Sequence, residues 1–172
     1  MPPSINLLSL YDINDEEEIE ETAETIEGNA LLKAKTIAVK FNTNCFADDS
    51  GLLVDSLNGA PGVYSARYAG EQKNDSDNID KLLLELKTTE NRKAQFKTIM
   101  ALVLNGKEHL FEGTVNGTIT RIKRGTNGFG YDPVFMPDGY TKTFAEMSFE
   151  EKNTISHRKI ALQKLLVYMH TL

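Results

Sequence analysis

The chain has 172 residues, 40% of them hydrophobic and 26% charged, which is enough for one globular domain with a sizeable core. Its net charge of -6 argues against a nonspecific hold on nucleic acid or an anionic membrane, and leaves open a small anionic substrate wherever cations cluster locally. The single cysteine, Cys45, excludes an internal disulfide framework and a cysteine-type zinc site, and with no membrane-spanning apolar run and no signal-peptide pattern the expectation is a cytoplasmic protein.

The opening segment has one short apolar run, Ile5 to Leu10, and then an acidic stretch from Asp12 to Glu24 that reads as a solvated loop or helix start. From Asn29 the apolar residues Ala30, Leu31, Ala34, Ile37, Ala38 and Phe41 recur at helical spacing, which turns Lys33 and Lys40 toward another face. Cys45 to Ala47 and Leu52 to Val54 read as strand segments on either side of a tight turn that carries the adjacent carboxylates Asp48 and Asp49. A loop rich in Gly and Pro follows, from Asn58 to Gly70. The stretch NDSDNIDKLLLELK then places Ile79, Leu82, Leu83 and Leu86 on one helical stripe behind Asp and Ser residues suited to an N-cap.

The middle of the chain reads as β structure. Ala94, Phe96, Thr98, Met100, Leu102 and Leu104 alternate on one face, and Asn105-Gly106 is a pair favoured in two-residue hairpin turns. Asn116-Gly117 suits either another hairpin or a kink within one long bent strand, and the kink is the preferred reading. A short strand is expected over Pro133 to Met136, then a turn at Pro137-Asp138-Gly139. Ser148 and Glu151 form a capping-box pattern for a brief helix. Ile160, Ala161, Leu162, Leu165, Leu166 and Met169 make an amphipathic C-terminal helix whose start holds Ser156, His157 and Arg158.

Sites are usually built at element ends, and the charged residues Glu21, Lys33, Asp48, Asp49, Lys152 and Arg158 fall there, as does the loop GTNGFGYDP from Gly125 to Pro133. Carboxylates for a divalent metal, cations for phosphate oxygens and glycines for close backbone approach together suit a polyphosphate. Each piece also has a plain structural reading. Asp48 and Asp49 can cap a turn through Asx hydrogen bonds, Gly128 and Gly130 can mark a loop, and Lys33 can be solvated. His157 and Arg158 are odder, because cations at a helix start oppose the helix dipole and call for an acceptor ligand. Nucleophilic catalysis by Ser or Cys has no motif here, and no Walker-type phosphate loop occurs.

Five blocks in order carry a more specific signal: ETAETIEGNALLKA (21–34), FADDSGLLVDSLNGAPGVYSARYAGE (46–71), GFGYDPVF (128–135), TFAEM (143–147) and EEKNTISHR (150–158). This set resembles the inosine triphosphate pyrophosphatase (XTP/dITP diphosphatase) family, and the likeness covers nearly the whole chain from Glu21 onward. The resemblance implies an α/β fold with a long twisted mixed sheet, flanking helices and two lobes around a central cleft. It implies a homodimer, and Mg²⁺-dependent hydrolysis of ITP, dITP and XTP to monophosphate and pyrophosphate, which cleanses the nucleotide pool of deaminated purines.

Carried over by position, Glu21 and Asp49 match the family's metal-binding carboxylates. Asp49 also matches the proposed general base, with Asp48 beside it to orient water or metal. Lys33 and Lys152 match substrate-binding lysines, and Ser50 a substrate-contacting serine. Phe129, Gly130, Tyr131 and Asp132 match the base-pocket loop, and His157 and Arg158 match the pair that reads the purine. Two departures stand out. Gly28 occupies a position where many members carry Glu, and the chain lacks a counterpart of the family's first strand and [ST]-x-N-x-x-K phosphate loop, so residues 1–172 read as one pyrophosphatase domain truncated at its N-terminus with an open sheet edge. That departure keeps a second reading open, a weakly active or non-catalytic nucleotide-binding remnant.

Overall fold

A computed structural model describes residues 5–15 and 17–172; Glu16, within the acidic stretch, and Met1 to Ser4 lie outside them. The chain is α/β. Helix α1 (Ile26–Phe41) leads into strand β1 (Cys45–Val54), and a 3-10 helix (Gly62–Arg67) precedes helix α2 (Asp75–Glu85). Strands β2 (Lys93–Leu104), β3 (Lys107–Ile119) and β4 (Phe135–Pro137) follow, then helices α3 (Phe149–Ile155) and α4 (His157–Met169). The strands lie in the order β1-β2-β3-β4, and every pairing is antiparallel. The mixed sheet implied by the resemblance is thus antiparallel among the described residues, because hairpin and loop returns join neighbours that run in opposite directions. β1 forms one outer edge, which meets no further strand among the described residues.

The local signals explain most of these elements. Thr25 caps α1 by accepting the Gly28 N–H, so the helix begins three residues before the apolar period does. A Cβ on Gly28 would lie 2.7 Å from the Ala23 Cβ, which gives a steric reason for glycine where the family often has Glu. Asn74 caps α2. Asn105 and Gly106, both at positive φ, close the β2–β3 hairpin, and β3 runs unbroken through Asn116-Gly117. Ser148 and Glu151 complete the capping box of α3.

The core packs on both sides of the sheet because β2 is central and buried on both faces. Ile26, Ala30 and Ala34 of α1 cover Ile99 and Ala101. On the opposite face Ala161, Leu165 and Met169 of α4 cover Met100 and Leu102. A larger cluster joins Leu52, Val54 and Phe96 to α2 and to the segment containing Val134, Phe135 and Phe144. Cys45 is half-buried at the start of β1, and burial pushes its thiol up.

The expected turn at Asp48-Asp49 is absent: β1 is one ten-residue strand that runs straight through both acids. Asp48 pairs with Met100 and Asp49 with Ile99 in an unbroken register. The Asx turn chemistry of the local sequence gives way to ladder hydrogen bonds with β2 and to a cation waiting on each face. Adjacent residues in a strand point to opposite faces, so the two carboxylates diverge, Asp49 toward α1 and Asp48 toward α4.

Candidate active site

The α1 face carries the tighter group. Asp49 is 8% exposed, and its Oδ1 accepts a hydrogen bond of 2.9 Å from the Lys33 ammonium, which reaches over from α1. The same Nζ donates to Glu21 Oε1, also at 2.9 Å. Arg67 approaches the other Glu21 oxygen at 3.6 Å and donates to the Glu21 carbonyl at 3.3 Å. Sequence reasoning quoted Arg67 within a motif and gave it no role; the signal was an Arg at the end of a Gly- and Pro-rich loop.

Glu21, Asp49 and Lys33 lie close enough that the charge on each bears on the other two. Burial raises the Asp49 carboxyl above the ordinary range, Lys33 pulling it down and Glu21 adding to the rise. Burial also works against ionising Glu21, but the Lys33 hydrogen bond and charge outweigh it and hold that carboxyl low. Burial would lower the Lys33 ammonium, and the two acids raise it instead. The position of Lys33 Nζ is therefore a built cation position with one oxygen from each carboxylate.

That donor set fits Mg²⁺, which takes hard oxygen ligands, is commonly held by one or two carboxylates and fills its other positions with water and substrate phosphates. Among the described residues no three His, Cys, Asp or Glu side chains gather into a closed protein cage.

The α4 face carries the rest. Arg158 Nε donates to Asp48 Oδ2 at 3.2 Å. Its guanidinium lies 5.4 Å from the Phe129 ring centroid, and the Lys152 ammonium lies 4.7 Å from the same ring. Phe129 is 60% exposed, so two cations flank an aromatic face that is open to a planar ligand. Lys152 is anchored by Asp132, whose Oδ2 also accepts the Phe129 N–H. Ser50 shares a hydrogen bond of 2.6 Å with Thr98.

His157 is buried and stacks on Phe96 with centroids 4.7 Å apart and rings 6° from parallel. Burial, with Arg158 and Lys152 nearby, pushes its pKa down to about 3, so the ring is neutral. Of the pair His157 and Arg158, the cation is Arg158. α4 comes this close to the sheet because of Gly113: a Cβ there would stand 2.0 Å from the His157 carbonyl oxygen.

The predicted residues thus separate into two groups. Glu21, Lys33 and Asp49 meet on one face; Asp48, Phe129, Asp132, Lys152 and Arg158 connect on the other, with Ser50 and His157 on that side. Asp48 does not share Asp49's cluster. Tyr131 is also placed differently from an open pocket residue: its ring is in the core and its hydroxyl donates to the Ser65 carbonyl at 2.9 Å. Gly130 turns at positive φ and donates its N–H to Asp75.

The chain is 59% identical over 166 residues to a dITP/XTP pyrophosphatase of Flavobacterium johnsoniae, spanning 96% of this chain and 86% of that protein. It is 54% identical to a dITP/XTP pyrophosphatase of Christiangramia forsetii, over 98% of this chain and 89% of the relative. The Ham1 protein of Staphylococcus aureus superposes with a TM-score of 0.92 at 43% identity, covering 96% of this chain and 87% of that one. A dITP/XTP pyrophosphatase from Mycobacterium abscessus superposes with a TM-score of 0.83 at 45% identity, covering 95% and 85%. Residues 2–168 match the Ham1 family, and the chain belongs to it.

Proposed function

We propose that this protein hydrolyses dITP and XTP, with ITP as the ribonucleotide counterpart of dITP, to the monophosphate and pyrophosphate with Mg²⁺, removing deaminated purines from the nucleotide pool. The observation that carries the reading is the convergence of Glu21 and Asp49 on one cation position in a chain 59% identical to a dITP/XTP pyrophosphatase. Water adds to phosphorus, the anhydride bond between the α- and β-phosphates breaks, and the pyrophosphate leaves with the bridging oxygen.

Glu21 and Asp49 would hold the metal. When bound, Mg²⁺ supplies charge neutralisation at the phosphate oxygens. Asp49 orients the attacking water and takes its proton. Lys33 turns its ammonium to the phosphates and stabilises the charge that develops on the leaving group.

Phe129 stacks on the base, and Lys152, whose ammonium lies over that ring, reaches toward substrate. Arg158 donates to the 6-keto oxygen that hypoxanthine and xanthine present; adenine presents an amino donor there and meets a donor in return. Neutral His157 and the Ser50–Thr98 pair shape the wall beneath. Asp48 acts through Arg158, setting its direction. The reading implies one catalytic unit per chain, a homodimer, and action in the cytoplasm on free nucleotides.

Pyrophosphate release with Mg²⁺ from dITP, XTP and ITP, measured beside dATP and GTP, tests the proposal. Selective release from the deaminated nucleotides is expected. A folded protein that binds dITP and releases no pyrophosphate would instead establish the nucleotide-binding remnant.

A further inference from the structure

Glu21 differs from Lys33 and Asp49 in how the chain carries it. Asp49 belongs to a strand and Lys33 to a helix, whereas residues 17–23 have neither helix nor strand. Nothing local fixes Glu21, so its direction depends on tertiary contacts. One is the side chain of Asn29, fully buried, whose Oδ1 accepts the Ala23 N–H at 2.9 Å. The others are the Lys33 ammonium on Oε1 at 2.9 Å and the two contacts of Arg67, to the Glu21 carbonyl and to its Oε2.

Arg67 itself stands on a rigid platform. It ends the 3-10 helix that lies against β1, so close that a Cβ on Gly51 would be 2.5 Å from the Gly62 carbonyl oxygen. Ser65 Oγ accepts the Leu52 N–H at 2.9 Å, and Tyr131 binds the Ser65 carbonyl. Asn78, 2% exposed, donates to the Ala66 carbonyl and accepts the Ala69 N–H, bracketing Arg67 on both sides. The chain fixes Arg67 from the strand, from α2 and from the loop after β3, and Arg67 passes that order to Glu21.

We propose that Arg67 is a positioning residue for the reaction: it holds the Glu21 main chain and carboxylate in the direction a divalent cation requires. This rests on the reading of Glu21 as a metal ligand. The need is greatest during turnover. Once Lys33 turns to phosphate, Arg67 is the remaining cation on Glu21 among the described residues. Outer contacts of this kind are typically worth ten- to hundredfold in metal affinity.

The test is Mn²⁺ binding to nucleotide-free protein, followed by electron paramagnetic resonance, for the wild type, Glu21→Gln, Arg67→Gln and Arg67→Lys. Glu21→Gln abolishes the site. Arg67→Gln weakens Mn²⁺ by about tenfold and lowers kcat for dITP in step with little change in KM. Arg67→Lys keeps the charge and the stem but cannot make both contacts, and falls between; it also serves where the Gln variant does not fold.

Unchanged affinity in a folded Arg67 variant overturns the proposal, as does tighter binding, which would make Arg67 only a neutralising charge. A raised KM with unaltered Mn²⁺ binding also overturns it, since Arg67 would then be a phosphate ligand. A wild-type protein whose Mn²⁺ binding ignores Glu21→Gln would instead sink the metal reading, a different failure that the same titration separates.

Discussion

Asp48 and Asp49, neighbours in sequence, are held by different cations on opposite faces of one strand, Asp49 by Lys33 at 2.9 Å and Asp48 by Arg158 at 3.2 Å. The strand therefore gives one acid to the phosphate side of the proposed reaction and the other to the side that reads the base. Because the two pairs lie on opposite faces of the sheet, they should separate experimentally.

Asp49→Asn keeps the shape of the side chain and removes its basicity and negative charge. Turnover of dITP is expected to fall by about a thousandfold or more, with the far-ultraviolet circular dichroism unchanged. An Asn variant that retains a substantial fraction of wild-type kcat would remove Asp49 from the role of base.

Lys33 occupies the cation position that the metal would take, so ammonium and metal compete for the same two carboxylates. Lys33→Met is expected to tighten Mn²⁺ binding in the absence of nucleotide by about tenfold at pH 8, equivalent to ~1.4 kcal/mol, while lowering kcat/KM for dITP. Isothermal titration of the nucleotide-free variant gives the first number. Weaker metal binding in the variant would mean that Lys33 organises the acids and does not compete for them.

Arg158 and Asp48 are each more than a third exposed, so their pairing adds no more than about 1 kcal/mol to stability after solvent screening. Arg158→Ala should leave the melting temperature nearly unchanged and reduce the preference for dITP over dATP by about ten- to a hundredfold. Parallel kcat/KM measurements on the two nucleotides decide it; a large loss of stability with preserved selectivity would reverse the assignment.

Gly113 sets how closely α4 meets β3. Gly113→Ala places a methyl group against the His157 carbonyl and the Ala161 backbone, which cannot yield as a side-chain tip can. A loss of about 1–3 kcal/mol is expected, lowering the melting temperature by roughly 3–10 °C for a chain of this size. Selectivity should deteriorate with it, because α4 carries Arg158.

His157 is neutral and buried in the folded chain, with its pKa lowered from 6.5 to about 3. On acidification the unfolded chain takes up the proton first, so the stability this residue contributes is complete above about pH 6.5 and is lost as the pH falls toward 3. Between pH 7 and 5 the loss should be about 1–2 kcal/mol. Denaturant melts at the two pH values should show a smaller difference for His157→Phe than for the wild type. An equal difference would place the acid sensitivity elsewhere.

The sequence by itself determined those elements whose signals are local. The period of α1 and α4, the Asn105-Gly106 hairpin, the Ser148–Glu151 capping box and the continuous β3 were all legible, because periodicity and turn chemistry involve residues a few positions apart. The ordered motif blocks likewise pointed to the family and to Glu21, Lys33 and Asp49. Tertiary structure alone decided which side each residue serves. Asp48-Asp49-Ser50-Gly51 reads as a turn until β2 pairs with it residue for residue, and only that register sends Asp48 and Asp49 to opposite faces. The burial of His157 against Phe96, the withdrawal of Tyr131 into the core and the grip of Arg67 on Glu21 join residues 46 to 66 positions apart. Their energies come from desolvation and from charges brought together by packing, which no local stretch of sequence contains.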